Sequence, residues 1–221
     1  MKGIWWKSLA VVLVVYTIVM GFLGEVPAMN ILHETIRNLY FHVTMWFAMM
    51  IMMTISLVNS IRHLNSNSLR RDTTAAEAAN TGMVLGTLGL ITGSFWARFT
   101  WGAWWTNDPQ LNGAAITMLS YLAYAVLRNA IEDREKKARI SAVYNIFAYT
   151  MMVVFIGILP KVGDVDSLHP GKGGNPGFNS YDLDSRMRMV FYPAIIGWTL
   201  FAWWITTIRI RVRNITNNSN G

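Results

Sequence analysis

The chain has 221 residues, of which 53% are hydrophobic and only 14% charged, with no cysteine and a formal net charge of +7. The lack of cysteine excludes disulfides, CxxC redox chemistry, thiolate metal sites and self-attached c-type haem, so any metal chemistry falls to His, Met or carboxylate. Several runs approach the roughly 20 apolar residues needed to cross a bilayer, which makes this an all-α integral membrane protein, and the positive charge is read as a topology signal rather than as affinity for nucleic acid.

Lys2 and Lys7 precede an apolar run from Leu9 to Leu23. It is read as a retained first span beginning near Trp5, in preference to a signal peptide with a poor cleavage site at Val26-Pro27-Ala28. A loop from Glu25 to Leu39, carrying His33, Glu34 and Arg37, leads into a second span from Tyr40 to Ile61. Arg62, His63, Arg70 and Arg71 lie in a polar connection, where His63 is expected to be solvated. Ala75 to Phe95 makes a third span whose Gly82, Gly86, Gly89 and Gly93 share one face, suited to close helix packing ahead of ligand approach. A Trp-rich loop follows, about residues 94–112. Asp108 and Pro109 fit an N-cap and first helical position, opening a fourth span from Leu111 to Leu127. After a charged connection, Arg128 to Arg139, a fifth span runs from Ile140 to Leu159 and ends at Pro160. Lys161 to Arg188 is the longest polar stretch and reads as a loop. The sixth span, Met189 to Ile208, contains Pro193 as a kink or helix start and precedes a basic tail of Arg209, Arg211 and Arg213.

Residues 1–221 thus read as a single membrane domain of six transmembrane helices with both termini on one side. Thirteen of the 19 Lys and Arg fall on that side, which the positive-inside bias makes cytoplasmic. The first, third and fifth connections then meet on the outer side.

Trp96, Trp101, Trp104 and Trp105 crowd one of those outer connections. An interfacial aromatic belt explains most membrane Trp; a platform for a flat ligand is the competing reading, with Gly102 allowing close approach. His33, His42 and His169 lie on the same side, and two imidazoles from separate segments are able to supply both axial ligands of a haem. Arg37 and Arg98 are the outer-side cations placed to hold its carboxylates in bidentate fashion, or else to snorkel toward phosphates.

Gly93-Ser94-Phe95-Trp96-Ala97-Arg98-Phe99-Thr100-Trp101-Gly102-Ala103-Trp104-Trp105-Thr106-Asn107-Asp108 resembles the tryptophan-rich WWD signature of the haem-handling proteins of cytochrome c maturation. Arg37-Asn38-Leu39-Tyr40-Phe41-His42-Val43 resembles the family segment around its first axial histidine, and Ser167-Leu168-His169 that around its second. The length and span number look like the CcmC type rather than the larger CcsA or CcmF types. The resemblance implies that His42 and His169 ligate haem iron from opposite faces, that the four Trp line the haem, and that Tyr40 and Asp108 belong to the binding motifs. It implies haem b as the carried ligand, a bacterial inner membrane location, and an ABC-type complex with CcmA, CcmB and CcmD that loads the periplasmic chaperone CcmE.

Two departures stand out. The signature usually ends Trp-Asp where this chain has Asn107-Asp108, and its usual Arg-Leu-Thr continuation is Gln110-Leu111-Asn112. Arg98 or Arg37 is expected to replace the lost Arg, and Asp108 keeps a competing role as a helix cap. The chain is expected to do no bond chemistry itself. The alternatives are a b-type cytochrome subunit, which usually hangs haem from His within helices, a transporter subunit with incidental His and Trp, and a cytochrome c synthase component, which would need further spans. His33 stands nine residues before His42 and is the alternative first ligand.

Overall fold

In a computed structural model of the protein, residues 3–27, 32–162, 169 and 183–219 are described. Among them there is no strand. Six helices follow one another: α1 (Trp5–Leu23), α2 (His42–Ser66), α3 (Leu69–Trp101), α4 (Pro109–Ala130), α5 (Arg134–Met152) and α6 (Ser185–Ser219). A 3₁₀ helix, His33–Tyr40, precedes α2, and α5 is continued by a π-helical turn, Val153–Ile158, and a short 3₁₀ turn to Lys161. Among the described residues, four helical stretches are long and apolar enough to cross a membrane: Trp5–Leu23, His33–Ser66, Arg134–Ile158 and Ser185–Thr216.

The helices alternate in direction. At one end Lys7 of α1 lies over the ring of Trp204 on α6, 5.4 Å from its centroid, Asp72 of α3 pairs with Arg128 of α4 at 2.6 Å, and Glu77 of α3 with Arg209 of α6 at 2.7 Å. At the other end Arg37 donates to the carbonyls of Gly21 and Gly24, closing the C-terminus of α1.

The glycine stripe explains both the packing of α3 and its weaker apolar signal. Helix α2 lies antiparallel against that face in the most extensive contact of the bundle. A Cβ on Gly82 would sit 2.8 Å from Met53, on Gly86 2.8 Å from Met49, on Gly89 2.8 Å from Trp46 and on Gly93 2.6 Å from His42. His42, Trp46, Met49 and Met53 form one face of α2 at helical spacing, and each enters the notch of one glycine, Met49 sharing that of Gly86 with Met118 of α4. The small residues of α3 are turned toward protein, where they need not be hydrophobic.

Polar groups inside the bundle are cross-linked between helices, as the cost of burying them demands. The Asn145 amide donates to Ser56 Oγ at 2.7 Å and Ser60 Oγ at 2.8 Å, joining α5 to α2, and Ser56 Oγ donates to the Ala75 carbonyl of α3 at 2.7 Å. Pro193 lies inside α6 rather than starting it. Having no N–H, it leaves the Met189 carbonyl one turn back without a helical donor, and the Tyr16 hydroxyl of α1 donates there at 3.2 Å.

Several boundaries differ from the sequence reading. The third span does not stop at Phe95: α3 runs on to Trp101, because nothing between Trp96 and Trp101 breaks a helix, so Trp96 and Arg98 are helical rather than in a loop. Arg128 is not part of a connection but sits buried in the last turn of α4. His63 is not solvated: it is buried, with Nδ1 3.0 Å from the Ser68 carbonyl, closing the turn between α2 and α3. The basic residues after the sixth span continue α6 as helix. Most of the fifth connection, with Ser167, Leu168 and Lys172, and Ala28 of the supposed cleavage site lie outside the described residues.

Candidate functional site

The site lies at the end of the bundle where α2 starts and α3 stops. His42 is the first residue of α2 and is only 7% exposed. Its ring rests in the notch of Gly93, with Nδ1 2.9 Å from the Gly89 carbonyl and 3.2 Å from Thr92 Oγ1. Trp96 and Trp46 meet the imidazole edge-on, at ring-centroid separations of 5.9 Å and 6.5 Å. Trp96 is itself fixed, its indole N–H donating to Thr35 Oγ1 at 3.1 Å, and it packs on the cluster of Ile36, Leu39, Leu183, Met187 and Phe191. Tyr40 is buried inside that cluster, as a core residue under the site.

His169, half-buried, lies close enough to His42 for the two rings to interact electrostatically. The two histidines singled out from the sequence are thus within electrostatic range of each other, although they are far apart in the chain. His33 is exposed and opens the 3₁₀ helix at a positive φ of 41°.

The aromatic rim is built by the turn between α3 and α4. Gly102 takes the left-handed conformation that stops α3, at φ 78°, and a Cβ there would meet nothing within 4 Å. Its requirement within the protein is therefore backbone conformation, and the space beside it is open. Trp101 ends the helix half-buried, whereas Trp104 and Trp105 are 53% and 42% exposed. Trp104 stands edge-on to Phe95, 5.1 Å between centroids. Trp105 donates to Asn112 Oδ1 at 3.3 Å, and the Asn112 amide donates to Asn107 Oδ1 at 2.7 Å. Asn107 and Asn112, two of the positions where the chain departs from the usual signature, are thus bonded to each other, and Asn112 holds Trp105.

Asp108 is 3% exposed and caps α4, accepting from the backbone N–H of Gln110 at 2.8 Å and Leu111 at 3.4 Å. The geometry supports the cap reading of this residue. Arg37 bonds through Nε to Glu34 at 2.6 Å as well as to the end of α1, while Arg98 is exposed with its guanidinium folded onto the Gly102 carbonyl. Thr92 and Trp46 were not singled out in the sequence. The spacing of Gly89 and Gly93 carried the signal, since a notch in one helix implies a knob on its neighbour.

Fold and site together define an all-helical membrane protein with an imidazole and indole centre at one end of the bundle. The chain matches the family profile of CcmC, heme exporter protein C, over residues 2–220, and it belongs to that family. It is 37% identical over 113 residues to the heme exporter protein C of Rhodobacter capsulatus, covering 49% of this chain and 45% of the relative. It is 32% identical over 116 residues to that of Paracoccus denitrificans, again 49% and 45%. A cytochrome c biogenesis protein CcsA of Prochlorococcus marinus is 36% identical over 101 residues, 45% of this chain and 32% of the relative. The matched part spans less than half the length of each of these relatives.

Proposed function

We propose that the chain binds haem b as cargo at the outer face of a bacterial inner membrane and presents it for cytochrome c maturation. The observation that supports this is the buried imidazole of His42 held edge-on by Trp96, with His169 within electrostatic range of it and Trp104 and Trp105 exposed in the turn that follows α3. Two neutral imidazoles suit an iron porphyrin, and indole faces suit its ring. All six helices cross the membrane in this reading, with both termini cytoplasmic. The 33 residues of α3 reach about 50 Å at 1.5 Å per residue, and its glycines face α2 instead of lipid.

Of the two arginines, Arg98 is the one available to a haem carboxylate, because Arg37 is committed to Glu34 and the end of α1. Iron held by two histidines has no open position, so handing the haem on requires one of them to let go. The chain does no bond chemistry. Partners of the CcmA, CcmB and CcmD kind supply nucleotide energy, which acts by changing the relative stability of two states, and a CcmE-type chaperone receives the haem.

The test is the visible absorption spectrum of the detergent-purified chain, oxidised and reduced, beside His42→Ala and His169→Ala. Low-spin bands in the native protein that turn high-spin or vanish in both variants are expected. A native chain that carries no haem after expression with ample haem refutes the proposal.

A further inference from the structure

Resting on that reading of the site, we infer that Thr92 and Gly93 are positioning residues for His42, holding its ring in the Nδ1–H form so that Nε2 faces the cargo and setting how firmly this histidine grips it. The Gly89 carbonyl can only accept, so the Nδ1 it faces at 2.9 Å carries the proton. Thr92 Oγ1 gives its own proton to the Leu88 carbonyl at 2.8 Å, which turns a lone pair to the same Nδ1 at 3.2 Å. Two acceptors from one rigid helix therefore converge on one ring nitrogen. A ring flip would put carbon against both.

A histidine whose far nitrogen donates to such acceptors is a better donor at the other, and removing the outer partner of a metal-bound histidine costs about 10–100-fold in affinity. Gly93 is the space that makes the geometry available: a Cβ there would lie 2.6 Å from His42 Cε1 and 3.2 Å from Nδ1. The notch at Gly82, at the far end of the stripe, differs in kind, since it meets the flexible end of Met53. Alanine at 82 displaces a methionine tip; alanine at 93 pushes a rigid imidazole off its acceptors.

The experiment uses the full chain in detergent with histidine labelled with ¹⁵N. In the haem-free protein, the nitrogen shifts of His42 should report protonated Nδ1 and unprotonated Nε2 in native, Thr92→Ser and Gly82→Ala proteins. In Gly93→Ala the two nitrogens should approach the exchanging average of a free imidazole. With haem added, Thr92→Val should bind about tenfold more weakly and show a raised midpoint potential, and Thr92→Ser should restore both. Gly93→Ala should lose the low-spin spectrum that Gly82→Ala keeps. An Nε2–H ring in the native protein, or Thr92→Val and Gly93→Ala proteins indistinguishable from native in nitrogen shifts and potential, overturns the inference. Native protein with the expected nitrogen shifts but no haem binding would fail the cargo reading alone and uphold the positioning.

Discussion

The ion pair of Asp72 with Arg128 gives the sharpest energetic test of the bundle. Its two hydrogen bonds are 2.7 Å and 2.6 Å long, and the two side chains are 11% and 9% exposed. Asp72 sits in the first turn of α3 and Arg128 in the last turn of α4, so each charge is also placed favourably for its own helix dipole. Arg128→Met leaves a buried carboxylate with its main partner gone, a change expected to cost about 3–5 kcal/mol. Asp72→Leu does the converse to the guanidinium. The double variant removes both charges and should be within ~1 kcal/mol of native, or more stable, because two charges no longer need desolvation. Equilibrium unfolding in mixed micelles, followed by helical circular dichroism on all four proteins, closes the cycle. The pair lies about 30 Å along α3 from His42, at 1.5 Å per residue, so folded variants should keep their haem spectrum. Single variants each costing under ~1 kcal/mol, with additive effects in the double, would refute the assignment of a buried, mutually dependent pair.

Asp108→Ala removes the cap of α4 and should lower stability by about 1 kcal/mol while haem binding persists; full stability with lost haem in the same assays would move Asp108 from capping to cargo contact. Glu77 is the buried carboxylate shared by Arg209 and Arg213, whose side chains are 44% and 37% exposed. Glu77→Gln should loosen the end of α6 and speed tryptic cleavage at Arg209, Arg211 and Arg213 in the native protein. An unchanged cleavage rate would show that the clamp does not hold the helix.

Patterns that depend on neighbours in sequence were legible before the structure. The glycine stripe predicted close packing, and Asp108-Pro109 predicted the start of α4. What failed depended on partners that a turn or a neighbouring helix supplies. Arg128 and His63 are polar residues at the edge of apolar runs, and only Asp72 and the Ser68 carbonyl, brought there by the fold, make their burial tolerable. The Trp-rich stretch misled for a different reason: its composition suggested a surface loop, while no helix breaker stopped α3 before Gly102. His42 and His169 were paired by resemblance to a family, since no spacing rule joins two histidines so far apart. The coupling of Asn107 with Asn112 is a side-chain contact across the start of α4, and residue types alone did not announce it.

The hydroxyl of Tyr16 on the Met189 carbonyl makes positions 16 and 193 one unit of substitution, although they belong to opposite ends of the chain. While Pro193 remains, losing Tyr16 strands an acceptor in an apolar stretch, whereas replacing the proline first restores the helical donor and releases Tyr16. A lineage is therefore free to shed the proline and then the tyrosine, but pays a penalty for taking those steps in reverse. Among descendants of such a chain, phenylalanine at 16 should accompany a residue other than proline at 193.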